Sequence, residues 1–208
     1  MILSMLSVTS AQVGTLSAAF FGQAAHTSNA SAIRFMPPMV TCASMIRPVR
    51  DDDFPAIAAI TNHYIATTTI HFAYEPIPVE RFRAMIKPRH PWFVYDDGEV
   101  RGYSKAGTWR DRAAYDWTTE IGLYVQDGAR GRGIGRALYA ALLDELARRG
   151  FRSAIAGITL PNEPSIKLHH AFGFESVGVV RDAGFKHGRW CDVEFFQKRF
   201  ATDSSAPT

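Results

Sequence analysis

The stretch that decides the fold is GARGRGIGRALYAALLDELARRG, residues 128–150. Its first nine residues, 128–136, hold four glycines and three arginines. A segment with helical periodicity follows, and it predicts a helix over residues 134–149 that Gly150 caps at its C-terminus. The apolar face of this helix comprises Ile134, Leu138, Ala141, Leu142 and Leu146.

The glycine-arginine segment predicts a phosphate-binding loop. The N-terminus of a helix offers unpaired N–H groups and a partial positive charge. Glycines let the backbone approach a ligand closely, and successive N–H groups form an anion-binding nest. The guanidinium groups of Arg130, Arg132 and Arg136 add positive charge at the rim. A turn that only joins a strand to a helix does not require three arginines.

Two common nucleotide-binding motifs do not fit this loop. The P-loop motif requires Lys and then Ser or Thr after its last glycine, but Ile134 and Gly135 follow Gly133. The dinucleotide motif G-x-G-x-x-G begins correctly at Gly131, but Arg136 occupies the third glycine position. Magnesium–nucleotide and dinucleotide binding are therefore disfavoured.

The rest of the chain alternates predicted strands and helices around this loop. A Val/Ile/aromatic-rich hairpin surrounds Asp97-Gly98, and another strand, TTEIGLYV, leads into the loop. Strands and helices mixed in one chain indicate an α/β or α+β domain in three layers around a single sheet. The predicted strands are 45–50, 92–109, 118–125, 151–160, 174–180 and 190–200, and the helices are 51–65, 79–86, 134–149 and 164–173.

Composition indicates a soluble globular protein. The 208 residues are 47% hydrophobic and 21% charged, with a net charge of +3. This mildly basic balance fits an acidic ligand, but the positive residues form no long tract, so nucleic-acid binding is not indicated. No apolar run is long enough for a membrane span. Cys42 and Cys191 have no metal-binding spacing and predict reduced thiols in a cytoplasmic protein without a metal.

The two ends of the chain differ from the domain between them. Residues 1–44 contain no Asp or Glu and only one Arg, and they lack the positive start of a secretory signal. We expect either a disordered extension or a start codon assigned too far upstream. The folded domain is expected over residues 45–200, and residues 201–208 are expected to be a disordered tail.

The loop also fits the pattern R-x-x-G-x-G, through Arg130, Gly133 and Gly135. In this it resembles the GCN5-related N-acetyltransferases (GNAT), and the resemblance spans residues 46–200. It implies the GNAT fold, a mixed and mostly antiparallel sheet with helices on both faces and two strands splayed at the acetyl-CoA site. Five further segments resemble the phosphinothricin acetyltransferase subfamily. They are NHYI (62–65), AYDWT (114–118), LPNEPS (160–165), AGFKHGRW (183–190) and FFQ (195–197).

The resemblance implies acetyl-CoA as the acetyl donor. Its pyrophosphate would lie on the amides of residues 130–136, and its pantetheine arm would pair with the strand LYV. Gly122 in the middle of this strand suits a bulge or a close approach of backbone. Asn162 can both contact the cofactor and cap the helix that follows. The expected cofactor residues are Leu123, Tyr124, Val125, Arg130, Gly131, Arg132, Gly133, Ile134, Gly135, Arg136, Asn162 and Ser165.

Amine acetylation requires that an ammonium lose a proton before it attacks the thioester. The resemblance points to Glu120 as the general base, and we expect it to be partly buried with a raised pKa. An exposed strand carboxylate is the alternative. The N–H of Leu123 is the expected oxyanion donor. Many relatives place a tyrosine acid where this chain has His169, which either donates a proton to the sulfur or only packs in the helix.

The acceptor is expected to be the α-amine of a small amino acid such as phosphinothricin, methionine sulfoximine or methionine sulfone. A protein N-terminus, another amine, or CoA binding without chemistry are the alternatives. Expected acceptor contacts are Phe72, Arg110, Tyr115 and Lys186, although each also suits a structural or solvent-exposed position. The resemblance further implies a homodimer.

Overall fold

The computed structural model describes residues 45–201, and the expectations for residues 1–44 and 202–208 lie outside the described residues. The strands are β1 (Ile46–Pro48), β2 (Trp92–Asp96), β3 (Val100–Thr108), β4 (Thr118–Val125), β5 (Ser153–Thr159), β6 (Glu175–Lys186) and β7 (Arg189–Arg199). The helices are α1 (Phe54–Thr67), α2 (Val79–Met85), α3 (Ile134–Arg148) and α4 (Glu163–Ala171).

The seven strands form one sheet in the order β1-β2-β3-β4-β5-β7-β6. All neighbours pair antiparallel except β4 and β5, which are parallel. The parallel pairing joins only Thr118–Glu120 to Ser153–Ile155. Beyond Glu120 the two strands diverge, which confirms the predicted mixed sheet with a splayed strand pair.

Helices cover both faces of the sheet because side chains alternate between its faces. On one face, Trp92 and Tyr103 pack with Ile57 of α1 and Phe82 of α2. On the other, Ile121 packs with residues of α3 and α4, including Leu142 of α3. None of the helices within residues 45–201 is long and apolar enough to cross a membrane.

Strand β6 is longer than the sequence predicted. The expected strand ended at residue 180, but β6 continues to Lys186 with a register shift between Val180 and Gly184. Within this bulge Asp182 has a φ of 48°, and its N–H donates to Asp192 Oδ1 at 2.9 Å. The polar bulge interrupts the alternation of apolar side chains, so the strand pattern stops in the sequence while the strand itself goes on.

Candidate active site

A cleft of about 1020 Å³ opens where β4 and β5 diverge. The glycine-arginine loop and the start of α3 form one end of it, and α4 lies beside the free half of β5. Glu120 lies at the last paired position of β4, so it marks the junction between the closed and the open part of the sheet. On the other face of the sheet, α2 and the segment after α1 complete the walls.

The loop before α3 has the backbone geometry of an anion nest. Gly131 and Gly133 have φ angles of 77° and 80°, values that glycine adopts without strain. Gly133 is the N-cap residue of α3, and the first helical hydrogen bond runs from Ala137 N–H to Gly133 O at 3.0 Å. The N–H groups of the preceding turn therefore remain available to a ligand.

Gly135 explains why the loop needs a third glycine. A Cβ at this position would lie 3.3 Å from Cδ2 of Leu123, which is on the free part of β4. Gly122 has a different explanation from the expected bulge. It pairs with Lys105 in regular register, and a Cβ there would meet Lys105 Cε at 3.2 Å. The lysine side chain lies across the space that glycine leaves open.

The three loop arginines have different environments. Arg130 donates from Nε and Nη2 to the hydroxyl of Tyr64, at 3.1 and 3.0 Å, and that hydroxyl donates to Val125 O. Arg136 lines the cleft, with its guanidinium 5.5 Å from the Phe172 ring centroid. Arg132 does not line the cleft and reaches Asp97 at 3.4 Å. Arg130 thus braces the loop from α1, and Arg136 faces the ligand space.

Helix α4 contributes Asn162 and Ser165 to the cleft. The Asn162 side chain accepts a hydrogen bond from Ser165 N–H at 3.3 Å, which is the predicted N-cap. Every residue expected to bind the cofactor lines the cleft except Arg132. The structure therefore brings these predicted residues to one surface. Those from Leu123 to Arg136 follow one another around a single strand–loop–helix junction, and Asn162 and Ser165 join them from the start of α4.

Glu120 is exposed to the cleft, where we expected partial burial. Its carboxyl is nevertheless flanked by protein, and this burial raises its pKa above 4.5, while the charges of Lys105 and Arg110 act in the opposite direction. The accessible surface and the raised pKa are compatible because water enters a concave cleft without solvating a carboxylate from all sides. Such a group can accept a proton at a pH closer to neutral than an ordinary glutamate.

His169 is buried at 4% exposure, and both of its ring nitrogens have partners. Nδ1 lies 2.7 Å from Ser165 O, and a carbonyl only accepts, so Nδ1 carries the proton. Nε2 lies 2.7 Å from the hydroxyl of Tyr139 and accepts its proton. Burial lowers the pKa of His169, which favours this neutral form. Neither nitrogen is left to serve a departing sulfur in this arrangement.

The four expected acceptor contacts do not line the cleft. Lys186 is 3% exposed and donates to Ile65 O and His71 O, at 2.6 and 2.5 Å. Phe72 packs so closely on Gly184 that a Cβ there would lie 2.5 Å from the ring. Arg110 is exposed with its guanidinium 4.7 Å from the Trp109 ring centroid, and Tyr115 is 42% exposed.

Sequence reasoning did not name the basic residues that line the cleft near Glu120. His71, Arg81, Lys87 and Lys105 line the cleft, and Glu120 is the only acidic residue of its lining within residues 45–201. One signal was available for Lys105. Lys105 is two residues from the core residue Tyr103 on β3, so both side chains lie on the same face of the sheet. The alternation of side chains along β3 therefore predicts that this lysine faces inward. No group of three or more His, Cys, Asp or Glu in the same described range could hold a metal ion.

Comparison with known proteins agrees with this geometry. A family model described as an acetyltransferase (GNAT) domain matches residues 46–194. This chain belongs to the GNAT acetyltransferase family. Its domain therefore comprises nearly all of the residues that the structure describes.

Similar GNAT proteins include enzymes named for small amino-acid substrates. The chain is 43% identical over 159 residues to a phosphinothricin N-acetyltransferase of Streptomyces viridochromogenes, covering 74% of this chain and 87% of that protein. It is 34% identical to an L-methionine sulfoximine/L-methionine sulfone acetyltransferase of Pseudomonas paraeruginosa, and the match covers 79% of this chain and 99% of that protein. A phosphinothricin acetyltransferase from Sinorhizobium meliloti, solved in complex with acetyl-CoA, matches with a TM-score of 0.74 at 33% identity, covering 78% and 92%.

Proposed function

We propose that this GNAT enzyme transfers the acetyl group of acetyl-CoA to the α-amine of a small amino acid of the phosphinothricin, methionine sulfoximine or methionine sulfone type. The observation that carries the proposal is one continuous cleft, which joins a glycine-rich anion nest to a single carboxylate on a cationic floor. The names of the similar proteins support the same class of acceptor.

The donor fits the end of the cleft that α3 opens. The pyrophosphate of acetyl-CoA would accept hydrogen bonds from the free N–H groups between Gly131 and Arg136, with Arg136 adding charge. The pantetheine arm would follow Leu123 to Val125, where β4 has no partner in β5. The thioester would then lie near Glu120, at the point where the strands begin to separate.

The chemistry is direct attack of the amine on the thioester. Glu120 accepts a proton from the acceptor ammonium, and the freed nitrogen lone pair forms a bond to the acetyl carbon. The carbonyl oxygen takes the negative charge of the tetrahedral intermediate, with the N–H of Leu123 as its donor. The intermediate collapses as the carbon–sulfur bond breaks and CoA leaves with the electron pair on sulfur. The second proton that the nitrogen loses as it becomes an amide goes to this thiolate, which gives the free thiol.

We assign His169 a positioning role. The bond to Ser165 O within α4 orients the ring, and the bond with the Tyr139 hydroxyl fastens α4 to α3, the two helices that border the donor end of the cleft. The hydrogen bonds that occupy both ring nitrogens leave no proton directed at the sulfur. In this assignment His169 acts through the helices it joins.

The test is an acetylation assay with a panel of acceptors that follows thiol release from acetyl-CoA. We expect turnover of the free amino-acid analogues and much less of a peptide N-terminus or an aminoglycoside. Glu120→Gln should lower kcat by about 10²- to 10⁴-fold and remove the acidic limb of the pH–rate profile. The limb should lie above the pH of an ordinary glutamate because the pKa of Glu120 is raised.

Two results would count against the proposal. Turnover confined to peptide N-termini would move the chain to the alternative acceptor class. CoA binding by calorimetry with no turnover of any amine would favour a binding module without chemistry. An undiminished Glu120→Gln variant would remove that residue from the mechanism and leave the acceptor class open to the panel.

We also propose that the protein is a homodimer through β6. This strand lies at the end of the sheet, and three of its valines, Val177, Val179 and Val180, are 55%, 38% and 49% exposed. An exposed apolar edge strand pairs readily with another copy. Sedimentation velocity should give a dimer for the wild type and a monomer for Val179→Lys, whereas a monomeric wild type would refute the assembly.

A further inference from the structure

We propose that Lys105 binds the carboxylate of the acceptor and so selects α-amino acids over neutral amines. The inference rests on the proposed function, because it names the partner of one group of that substrate. The expected carboxylate partner, Arg110, lies outside the cleft lining, although its charge still acts on Glu120. Three features of Lys105 support the assignment. They are the position of its side chain, the absence of a hydrogen-bond acceptor for it among residues 45–201, and the charge of its surroundings.

The side chain of Lys105 enters the cleft from β3. It lies on the same face of the sheet as Glu120, since Lys105 pairs with Gly122 and Gly107 pairs with Glu120. Its Cε lies 3.2 Å from the position that a Cβ of Gly122 would take, so the chain crosses the glycine. The Nζ atom lies 5.5 Å from the Trp92 ring centroid.

The ammonium of Lys105 has no hydrogen-bond acceptor among residues 45–201 and forms no ion pair there. Other lysines of the described chain differ. Lys186 reaches two carbonyls, Lys198 donates to Phe172 O at 2.7 Å, and Lys87 donates to Thr108 Oγ1 at 2.9 Å. Lys105 is half-buried, and this burial lowers its pKa, while the charge of Glu120 acts in the opposite direction. An anionic ligand would supply the missing acceptor.

The acceptor supplies that anion better than the donor does. Lys105 faces the side of the sheet covered by α1 and α2, whereas the anion nest belongs to α3 on the other side. Arg81 and Lys87 lie in the same wall and add positive charge. The phosphates of CoA already have their place at the nest, so the cationic wall is left for an acid group of the acceptor.

The spacing of the strands suits a zwitterionic amino acid. Glu120 and Gly122 are two residues apart on β4, which separates their positions by about 7 Å. The amine and the carboxylate of an α-amino acid share one carbon, and each requires a hydrogen bond of about 2.9 Å to its partner. One α-amino acid can therefore reach Glu120 with its amine and Lys105 with its carboxylate at once.

The test compares an acceptor with its carboxamide. Wild type, Lys105→Met and Lys105→Arg are assayed with methionine sulfone and with methionine sulfone amide, which lacks the carboxylate. Lys105→Met keeps the side-chain stem over Gly122, so the fold should persist, and thermal melting with CoA calorimetry checks this. Lys105→Gln is the second variant if the methionine variant does not fold.

We expect Lys105→Met to raise KM for methionine sulfone about 10- to 100-fold, the range for a hydrogen bond to a charged group. The KM for acetyl-CoA should stay unchanged, and at a pH above the acidic limb of both proteins the amide should be used equally by wild type and variant. Lys105→Arg should retain part of the preference for the acid. Equal losses on acid and amide would overturn the inference while wild-type turnover of methionine sulfone still upheld the proposed function. A wild type that acetylates neither compound would refute both.

Discussion

Lys186 offers a sharp test because the sequence and the structure assign it different roles. The resemblance implied a substrate contact, but the buried ammonium donates to Ile65 O at the end of α1 and to His71 O in the segment that follows. Lys186→Met keeps the length of the side chain and removes both donors. The two carbonyls would then lie close to an apolar side chain with no partner from β6.

The expected loss of stability follows from these two bonds. A hydrogen bond to a charged group contributes about 1.5–3 kcal/mol. Burial lowers the pKa of Lys186, which means that desolvation of the ammonium offsets part of this gain. We therefore expect a net loss of about 2–4 kcal/mol, which lowers Tm by about 4–16 °C in a domain of this size. Differential scanning calorimetry of the full chain measures it.

Lys198→Met is the matched control. Lys198 donates to one carbonyl, Phe172 O at 2.7 Å, so its replacement should cost roughly half as much. Lys186→Met should also raise KM for the acceptor several-fold, because His71 lines the cleft and loses its anchor. An unchanged Tm together with a large rise in KM for the acceptor would refute the structural role and restore a direct substrate contact.

Three further perturbations test the site. Lys105→Met should move the acidic limb of the pH–rate profile to higher pH, because the charge of Lys105 lowers the pKa of Glu120. A limb at the wild-type pH would show that the charge of Lys105 does not act on Glu120. Gly133→Ala should cost about 1–2 kcal/mol by melting and weaken CoA binding by calorimetry, because a φ of 80° strains any residue with a Cβ; unaltered binding would exclude the nest geometry. His169→Phe should lower Tm by leaving Tyr139 and Ser165 unpaired, yet keep the wild-type pH profile of kcat; an altered profile would favour the acid role.

The donor half of the site was predictable because it is local in the sequence. The residues that surround the nest follow one another from β4 through the loop into α3, so motif and periodicity place them together. Arg132 is the one loop arginine that does not line the cleft. Its side chain turns to Asp97 of the β2–β3 turn, whereas Arg130 reaches α1 and Arg136 faces the ligand space. A motif fixes which backbone forms the nest, but the direction of each side chain depends on neighbours far away in the chain.

The acceptor half was not predictable in the same way. Its walls come from α2, from the segment after α1 and from β3, which lie in three separate parts of the sequence. A resemblance transfers residues by position in a motif, and it selected Arg110 and Lys186 by their places in two loops. The structure shows that Arg110 is exposed and that Lys186 is buried. The sheet register was needed to show that Lys105, opposite Gly122, is the lysine that faces Glu120.

The contrast between Lys105 and Lys186 shows how a buried cation can be assigned without a bound ligand. Lys186 is buried and Lys105 is half-buried, and burial lowers the pKa of both. Lys186 has two carbonyl acceptors, so its position is explained by the folded chain itself. Lys105 has none among the described residues, and it faces the cleft that holds the one acidic side chain of the lining. The folded chain offers Lys105 the charge of Glu120 and the Trp92 ring but no hydrogen-bond acceptor among the described residues, and an anion that enters the cleft would supply one.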